Sequence, residues 1–177
     1  MLTSIVISRP SAGEFAEHTG VYVARVPGED VRPVLTSQMG EVDRLLGTLA
    51  EDRALHRYAP GKWSVKEVVG HLADAERIYG YRALRFARDD STPLPGFEEN
   101  FYVPAGRFNL RPMRELLDEW CAVRSATLAL YRGLDGEALL RRGVANGNVI
   151  SVRALAWLAA GHTLHHLDVL RERYRVR

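Results

Sequence analysis

The 177-residue sequence contains a single cysteine, Cys121, and no long apolar run. A single cysteine excludes an intrachain disulfide and any CxxC motif for a metal or a redox centre. No segment reaches the about 18 consecutive apolar residues of a transmembrane helix, and the N-terminus lacks the pattern of a secretory signal. Lysine and arginine exceed aspartate and glutamate only by 24 to 22, so no general positive field is available for a nucleic acid. We therefore expect a cytoplasmic protein that binds neither membranes nor nucleic acid.

The sequence does contain the hydrophobic periodicity of long helices. With 46% hydrophobic residues, the chain can bury the core of one domain, which we expect to cover residues 1–177. Apolar residues recur at helical intervals in four stretches. The predicted helices cover residues 31–55, 65–88, 110–133 and 151–173. Together they indicate an all-α fold, a four-helix bundle with an irregular N-terminal arm over residues 1–30.

Local signals predict where two of these helices begin. Ser64 and Glu67 have the spacing of a capping box, in which each side chain accepts a hydrogen bond from the other residue's backbone N–H. The second helix is therefore predicted to start at Val65. For the third helix, Asn109 is the expected N-cap, with Pro112 in the first turn.

The connecting segments are predicted to be irregular. In the arm, two short stretches of alternating polarity, 2–7 and 21–26, predict briefly extended chain. Residues 89–111 form a long crossover between the second and third helices, and such long connections are often functional covers. A crossover that is simply held down by its aromatic side chains is the alternative. Residues 135–148 are predicted to be rich in turns.

The histidines are the strongest candidates for function. His162 and His166 are four residues apart, so on a helix their imidazoles lie on one face about 6 Å apart. His71 lies on another apolar helix and is the natural third partner. Three neutral imidazoles can hold a divalent ion such as zinc or nickel and leave positions open for water or substrate. His165 is the substitute ligand if the last helix is rotated by part of a turn.

Other residues are weaker candidates. Asp74 could orient a metal-bound imidazole from outside, as could His165 if it is not a ligand. Glu76, close to His71, and Glu98 or Glu99 in the crossover are candidate general bases, although each is also typical of a solvated surface. A bundle whose core histidines are merely hydrogen-bonded, without metal, is the structural alternative.

Several of these segments resemble the DinB/YfiT-like family of bacterial four-helix metal-binding proteins. The resemblance lies in RYAPGKWSVKEVVGHL at 57–72, TPLPGF at 92–97, ANGN at 145–148 and AGHTLHHL at 160–167. It implies a bundle with a long crossover, often a homodimer, that holds zinc or nickel on three histidines. Carried over to this chain, the three ligands are His71, His162 and His166.

The same resemblance implies several classes of function. Family members include S-transferases and isomerases that use low-molecular-weight thiols, and others are classed as hydrolases without an assigned substrate. The resemblance therefore implies a metal-dependent hydrolase or a thiol-dependent S-transferase acting on a small molecule. A non-enzymatic, stress-related bundle that binds a metal or a ligand is the alternative.

Overall fold

The computed structural model describes residues 5–177. Within this range lie the α-helices α1 (Gly20–Arg25), α2 (Arg32–Leu46), α3 (Glu51–Ala54), α4 (Val65–Ala87), α5 (Glu99–Gly106), α6 (Met113–Arg132), α7 (Gly136–Leu140) and α8 (Val152–Glu172). A two-stranded antiparallel hairpin joins β1 (Arg142–Ala145) to β2 (Asn148–Ser151), and 3-10 turns occupy Glu17–Thr19 and Phe108–Leu110. Residues 2–4 of the predicted extended stretch lie outside the described residues.

Helices α2, α4, α6 and α8 form a four-helix bundle. Helix α4 packs along α6 and α8, and α2 packs on the same two helices, while α1 lies against α8. The prediction of an all-α bundle with a long crossover is confirmed. None of the helices in residues 5–177 combines the length and the apolarity that crossing a membrane requires.

The bundle has two apolar cores with a buried polar layer between them. One core is built around Phe86 and Trp157, and the other around Leu72 and Trp120. Each bundle helix contributes residues to both cores, and on each helix at least one buried polar residue comes between the two sets. We call this layer the polar belt, formed by Gln38 on α2, Glu76 on α4, Arg124 on α6, and His162 and Thr163 on α8.

Arg124 connects all four helices through the polar belt. Its Nε and Nη2 donate to the two carboxylate oxygens of Glu76, over 2.8 and 2.9 Å. Nη1 donates to the Gln38 side chain and to the Leu35 carbonyl, and Nη2 also donates to the Thr163 hydroxyl. All five N–H donors of this fully buried guanidinium are thus used, which is the condition under which a buried charge is tolerated.

Two of the predicted helix boundaries need correction. The second helix does begin at Val65 with the predicted capping box, since Ser64 Oγ accepts from the backbone of Glu67 and Glu67 accepts from that of Ser64. The first helix is shorter than the predicted 31–55, because α2 ends at Leu46 and only the short α3 follows it. The third helix begins at Met113 with Pro112 as its N-cap. Asn109 instead bonds to the side chains of Ser64 and Glu67.

The connecting segments contain more structure than predicted. Residues 21–26 belong largely to helix α1, because packing on α8 overrides their alternating pattern. A Cβ at Gly161 would overlap the backbone of Tyr22, so this glycine permits the close approach of the two helices. The crossover contains α5, and 135–148 contains α7 and most of the hairpin. The turn residues Asn146 and Gly147 have φ of 51° and 73°, as expected for the Asn-Gly signal of a tight hairpin.

A second buried acid, Glu14, links the N-terminal segment to the start of α8 through hydrogen bonds. The Glu14 carboxylate accepts hydrogen bonds from Ser151 Oγ, at 2.8 Å, and from Arg153 Nε, at 2.7 Å. The hydrogen bonds from Arg153 lower the pKa of Glu14 from 4.5 to about 2. The ionised form is therefore favoured by folding.

We expect Glu14→Gln to lower the free energy of unfolding at pH 7 by about 3 kcal/mol, the equivalent of this pKa shift. Because the folded-state pKa lies below the unfolded one, this stabilisation is complete above about pH 4.5 and is lost as the pH falls towards 2. Urea unfolding across that pH range should show the two proteins converging in acid. Glu17→Gln, at an exposed position three residues away, is the control and should have no such effect. A constant difference at every pH would contradict the assignment.

Candidate metal centre

Helices α4 and α8 bring His71, His162 and His166 together beside the polar belt. The Nε2 atom of His162 lies 3.0 Å from Nε2 of His71 and 3.1 Å from Nε2 of His166. One ligand atom from each residue can be chosen so that all lie within 4.8 Å of one another. The i,i+4 pair on α8 and the single histidine on α4 are therefore arranged as the sequence predicts.

These separations fit a shared metal ion. Two nitrogens bound to one ion at about 2.0–2.1 Å lie about 2.8–3.4 Å apart for bond angles between 90° and tetrahedral. Hydrogen bonding alone satisfies the cluster poorly, because one proton on His162 Nε2 cannot serve both neighbouring nitrogens. The donor set and its geometry fit a divalent metal ion.

Burial keeps the three imidazoles in the neutral form that binds metals. Desolvation lowers the pKa of His71 to about 4. The pKa values of His162 and His166 lie well below 6.5, first through burial and then through repulsion from the neighbouring imidazoles. At neutral pH, a metal ion therefore has no protons to displace from these nitrogens.

A cavity of about 300 Å³ opens beside the three imidazoles. We call it the histidine cavity; it is lined by Tyr22, Trp63, His71, Ala75, Tyr79, Arg82, Phe97, Glu99, Asn146, His162, His165 and His166. A second cavity of about 290 Å³ shares Trp63, His165 and His166 with it and extends towards Tyr58 and Tyr174. The trio thus borders open space on its accessible side, where further ligands of an ion can bind.

The predicted supporting residues have different surroundings. The Asp74 carboxylate pairs with Arg77 at 3.6 Å, and burial raises its pKa. Glu76 is bound by Arg124 in the polar belt. His165 lies in the wall of the histidine cavity, with its ring centroid 5.6 Å from that of Tyr22.

The two acids of the crossover also differ in position. Glu98 is exposed and its carboxylate accepts from the backbone and side chain of Asn100, so that it caps α5. Glu99, the next residue, lines the histidine cavity. Of the carboxylates considered from the sequence, Glu99 is the one with access to the three histidines.

Sequence reasoning missed several residues that line the cavity. Ala75 and Tyr79 follow His71 by four and eight residues, so helical periodicity could have placed them on the same face of α4. No local signal indicates Tyr22, whose ring meets that of His162 edge-on at a centroid distance of 5.5 Å. It reaches the site only through the packing of α1 on α8.

Comparisons with known proteins identify the family of this chain. A sequence model described as the DinB superfamily matches residues 35–170, which include all three histidines. The chain belongs to the DinB superfamily. No curated protein matches this DinB chain significantly.

Two solved structures share its fold. YfiT from Bacillus subtilis, described as "a probable metal-dependent hydrolase with an unusual four-helix bundle topology", superposes with a TM-score of 0.75 at 17% identity, covering 94% of this chain and 91% of YfiT. The mycothiol-dependent maleylpyruvate isomerase superposes with a TM-score of 0.66 at 11% identity. That match covers 78% of this DinB chain and 58% of the isomerase. At these identities both likenesses concern the fold.

Proposed function

We propose that His71, His162 and His166 bind one divalent metal ion, zinc or nickel, and that the protein is a metal-dependent hydrolase of a small molecule. The observation that carries this proposal is that Nε2 of His71 and Nε2 of His166 lie 3.0 and 3.1 Å from Nε2 of His162, beside an open cavity. The description of YfiT as a probable metal-dependent hydrolase supports the same reaction class.

The ion, the residues that hold it and a nearby carboxylate would have separate roles in hydrolysis. An ion held by the trio would supply a Lewis acid and lower the pKa of a bound water towards about 7. The three imidazoles would hold the ion without adding negative charge, and the Trp63 ring lies against that of His71, with centroids 4.8 Å apart and planes tilted by 48°. Glu99 is available in the cavity wall to take a proton from a nucleophile.

We expect Glu99→Gln to reduce hydrolysis by about 10² to 10⁴-fold, the usual contribution of a general base, while leaving metal content unchanged. The measurement is kcat/KM on whichever ester, amide or lactam of a screening panel the zinc-loaded or nickel-loaded protein cleaves. Glu98→Gln is the matched control, since the neighbouring carboxylate is exposed and caps α5. Equal losses in the two variants would remove Glu99 from the mechanism.

Thiol transfer is a second candidate, favoured by a separate observation. Two cavities meet at His165 and His166, so the site has room for two molecules at once, as a reaction between a low-molecular-weight thiol and an electrophile requires. The mycothiol-dependent isomerase, which has a similar fold, supports this candidate. Parallel assays of hydrolysis and of thiol conjugation, each with metal-loaded and metal-stripped protein, decide between the two. Equal activity in both preparations would exclude the ion from either mechanism.

A purely structural or sensory ion is less consistent with the site. Such a role would be favoured by a fourth protein ligand, for example His165 or Glu76. In residues 5–177 the metal-binding cluster consists of the three histidines, and both Glu76 oxygens are occupied by Arg124. A three-ligand site with open positions is typical of catalysis.

A further inference from the structure

Arg82 is a buried cation without a counter-ion. Its residue exposure is 7%, and its one hydrogen bond in the described chain runs from Nη2 to the Pro95 carbonyl, at 3.1 Å. No carboxylate within residues 5–177 forms an ion pair with it, in contrast to Arg124. Burial lowers the pKa of Arg82, which reflects the cost of removing its charge from water. A chain gains no stability from such a group, so a ligand is the natural reason for its presence.

The guanidinium of Arg82 is open to the histidine cavity. It lines that cavity together with the three histidines. In the described chain, the fully enclosed side-chain atoms that lack a partner are Trp120 Nε1 and His166 Nδ1, so the unpartnered nitrogens of Arg82 remain accessible. Its free donors are therefore available to a molecule in the cavity.

Helix α4 determines how far Arg82 lies from the histidines. Arg82 follows His71 by eleven residues on α4, which separates their Cα atoms by about 16 Å along the helix axis. Side chains on a helix lean towards its N-terminus, so the guanidinium reaches back towards the histidines. A molecule touching both groups must therefore be elongated.

We propose that Arg82 binds the carboxylate of an elongated substrate whose reacting group lies at the three histidines. The histidine end of this assignment rests on the proposed function, whereas the carboxylate site does not. A planar guanidinium matches a carboxylate with paired hydrogen bonds. The cavity wall also contains Glu99, so a singly charged carboxylate suits it better than a phosphate dianion, which a lone arginine would leave partly uncompensated.

The test uses the full-length protein with hexanoate and its neutral counterpart hexanamide as probes. In the metal-free protein, we expect hexanoate to bind about tenfold or more tightly than hexanamide, as for a hydrogen bond to a charged group. Calorimetry or NMR titration measures both affinities, and the Arg82 Nε–H resonance should shift with the acid and not with the amide. Repeating the titrations with added Zn²⁺ measures metal binding separately, so a failure of the metal site and a failure of the carboxylate site are distinguishable.

Two variants complete the test. Arg82→Gln should abolish the preference for the acid and should unfold at the same or a higher temperature, because it removes an unpaired buried charge. Arg85→Gln, one turn along α4 at a side chain bound to Asp90 and Tyr81, should keep the preference. Equal binding of acid and amide to the unmodified protein would overturn the inference. So would a retained preference in Arg82→Gln, or failure of that variant to fold, which would indicate a structural cation.

Discussion

Alanine at any one of His71, His162 or His166 is expected to lower zinc affinity by more than about 100-fold, since even changes to residues that only orient a ligand cost 10–100-fold. Each imidazole supplies one nitrogen of a three-ligand cluster, and two nitrogens alone form a weak site. Elemental analysis of protein purified without a histidine tag, after dialysis against Zn²⁺ or Ni²⁺, measures the loss. The unmodified protein should hold about one equivalent.

His165→Ala is the most demanding control, because His165 lines the same cavity and follows His162 by three residues. It should keep the metal, as should alanine at the exposed His18 and His56. Full occupancy after loss of any of the three proposed ligands would show that a ligand is misassigned. An unmodified protein that takes up neither ion would contradict the metal site altogether.

Arg124→Met is expected to lower the free energy of unfolding by about 3–5 kcal/mol. This is the usual penalty when one partner of a buried ion pair is removed and the other charge stays buried without it. Glu76, Gln38 and Thr163 would all lose hydrogen bonds from the guanidinium in the middle of the bundle. Urea or thermal unfolding of the metal-free protein measures the change.

The matched control is Arg114→Met, on the same helix. Arg114 pairs with Asp43 across to α2 at 2.6 Å, but both side chains are about half exposed, so the loss should be at most about 1 kcal/mol. The double variant Arg124→Met with Glu76→Leu should recover much of the stability, because no uncompensated charge is then buried. A double variant as unstable as the sum of the single ones would show that the ion pair itself is not the source of the loss.

Sequence motifs and hydrophobic periodicity predicted the features of the fold that arise from interactions between residues close together in the sequence. The capping box at Ser64 and Glu67 fixed the start of α4, and the spacing of His162 and His166 placed both on one helix face. The pairing of His71 with them followed from helical periodicity together with the family resemblance. The first two relations lie within a few turns of helix, whereas His71 is 91 residues away from His162 and was assigned from its place on an apolar helix and from the family resemblance.

Relations between distant parts of the chain were not predictable in this way. Glu76 was considered beside the metal, yet its partner Arg124 is 48 residues away and no local pattern connects them. Asparagine is a common N-cap residue, but the Asn109 side chain instead donates a hydrogen bond to Glu67 on α4. The alternation of residues 21–26 is overridden by packing on α8, which depends on Gly161.

The wall that Tyr22 forms beside His162 lies outside residues 35–170, the stretch that the superfamily model matches. One part of the wall of the histidine cavity thus lies in a different stretch of the chain from the three histidines. Mutations in the N-terminal segment can alter which molecules enter without touching a ligand of the ion. The shape of the cavity can therefore change at Tyr22 while the three histidines stay the same.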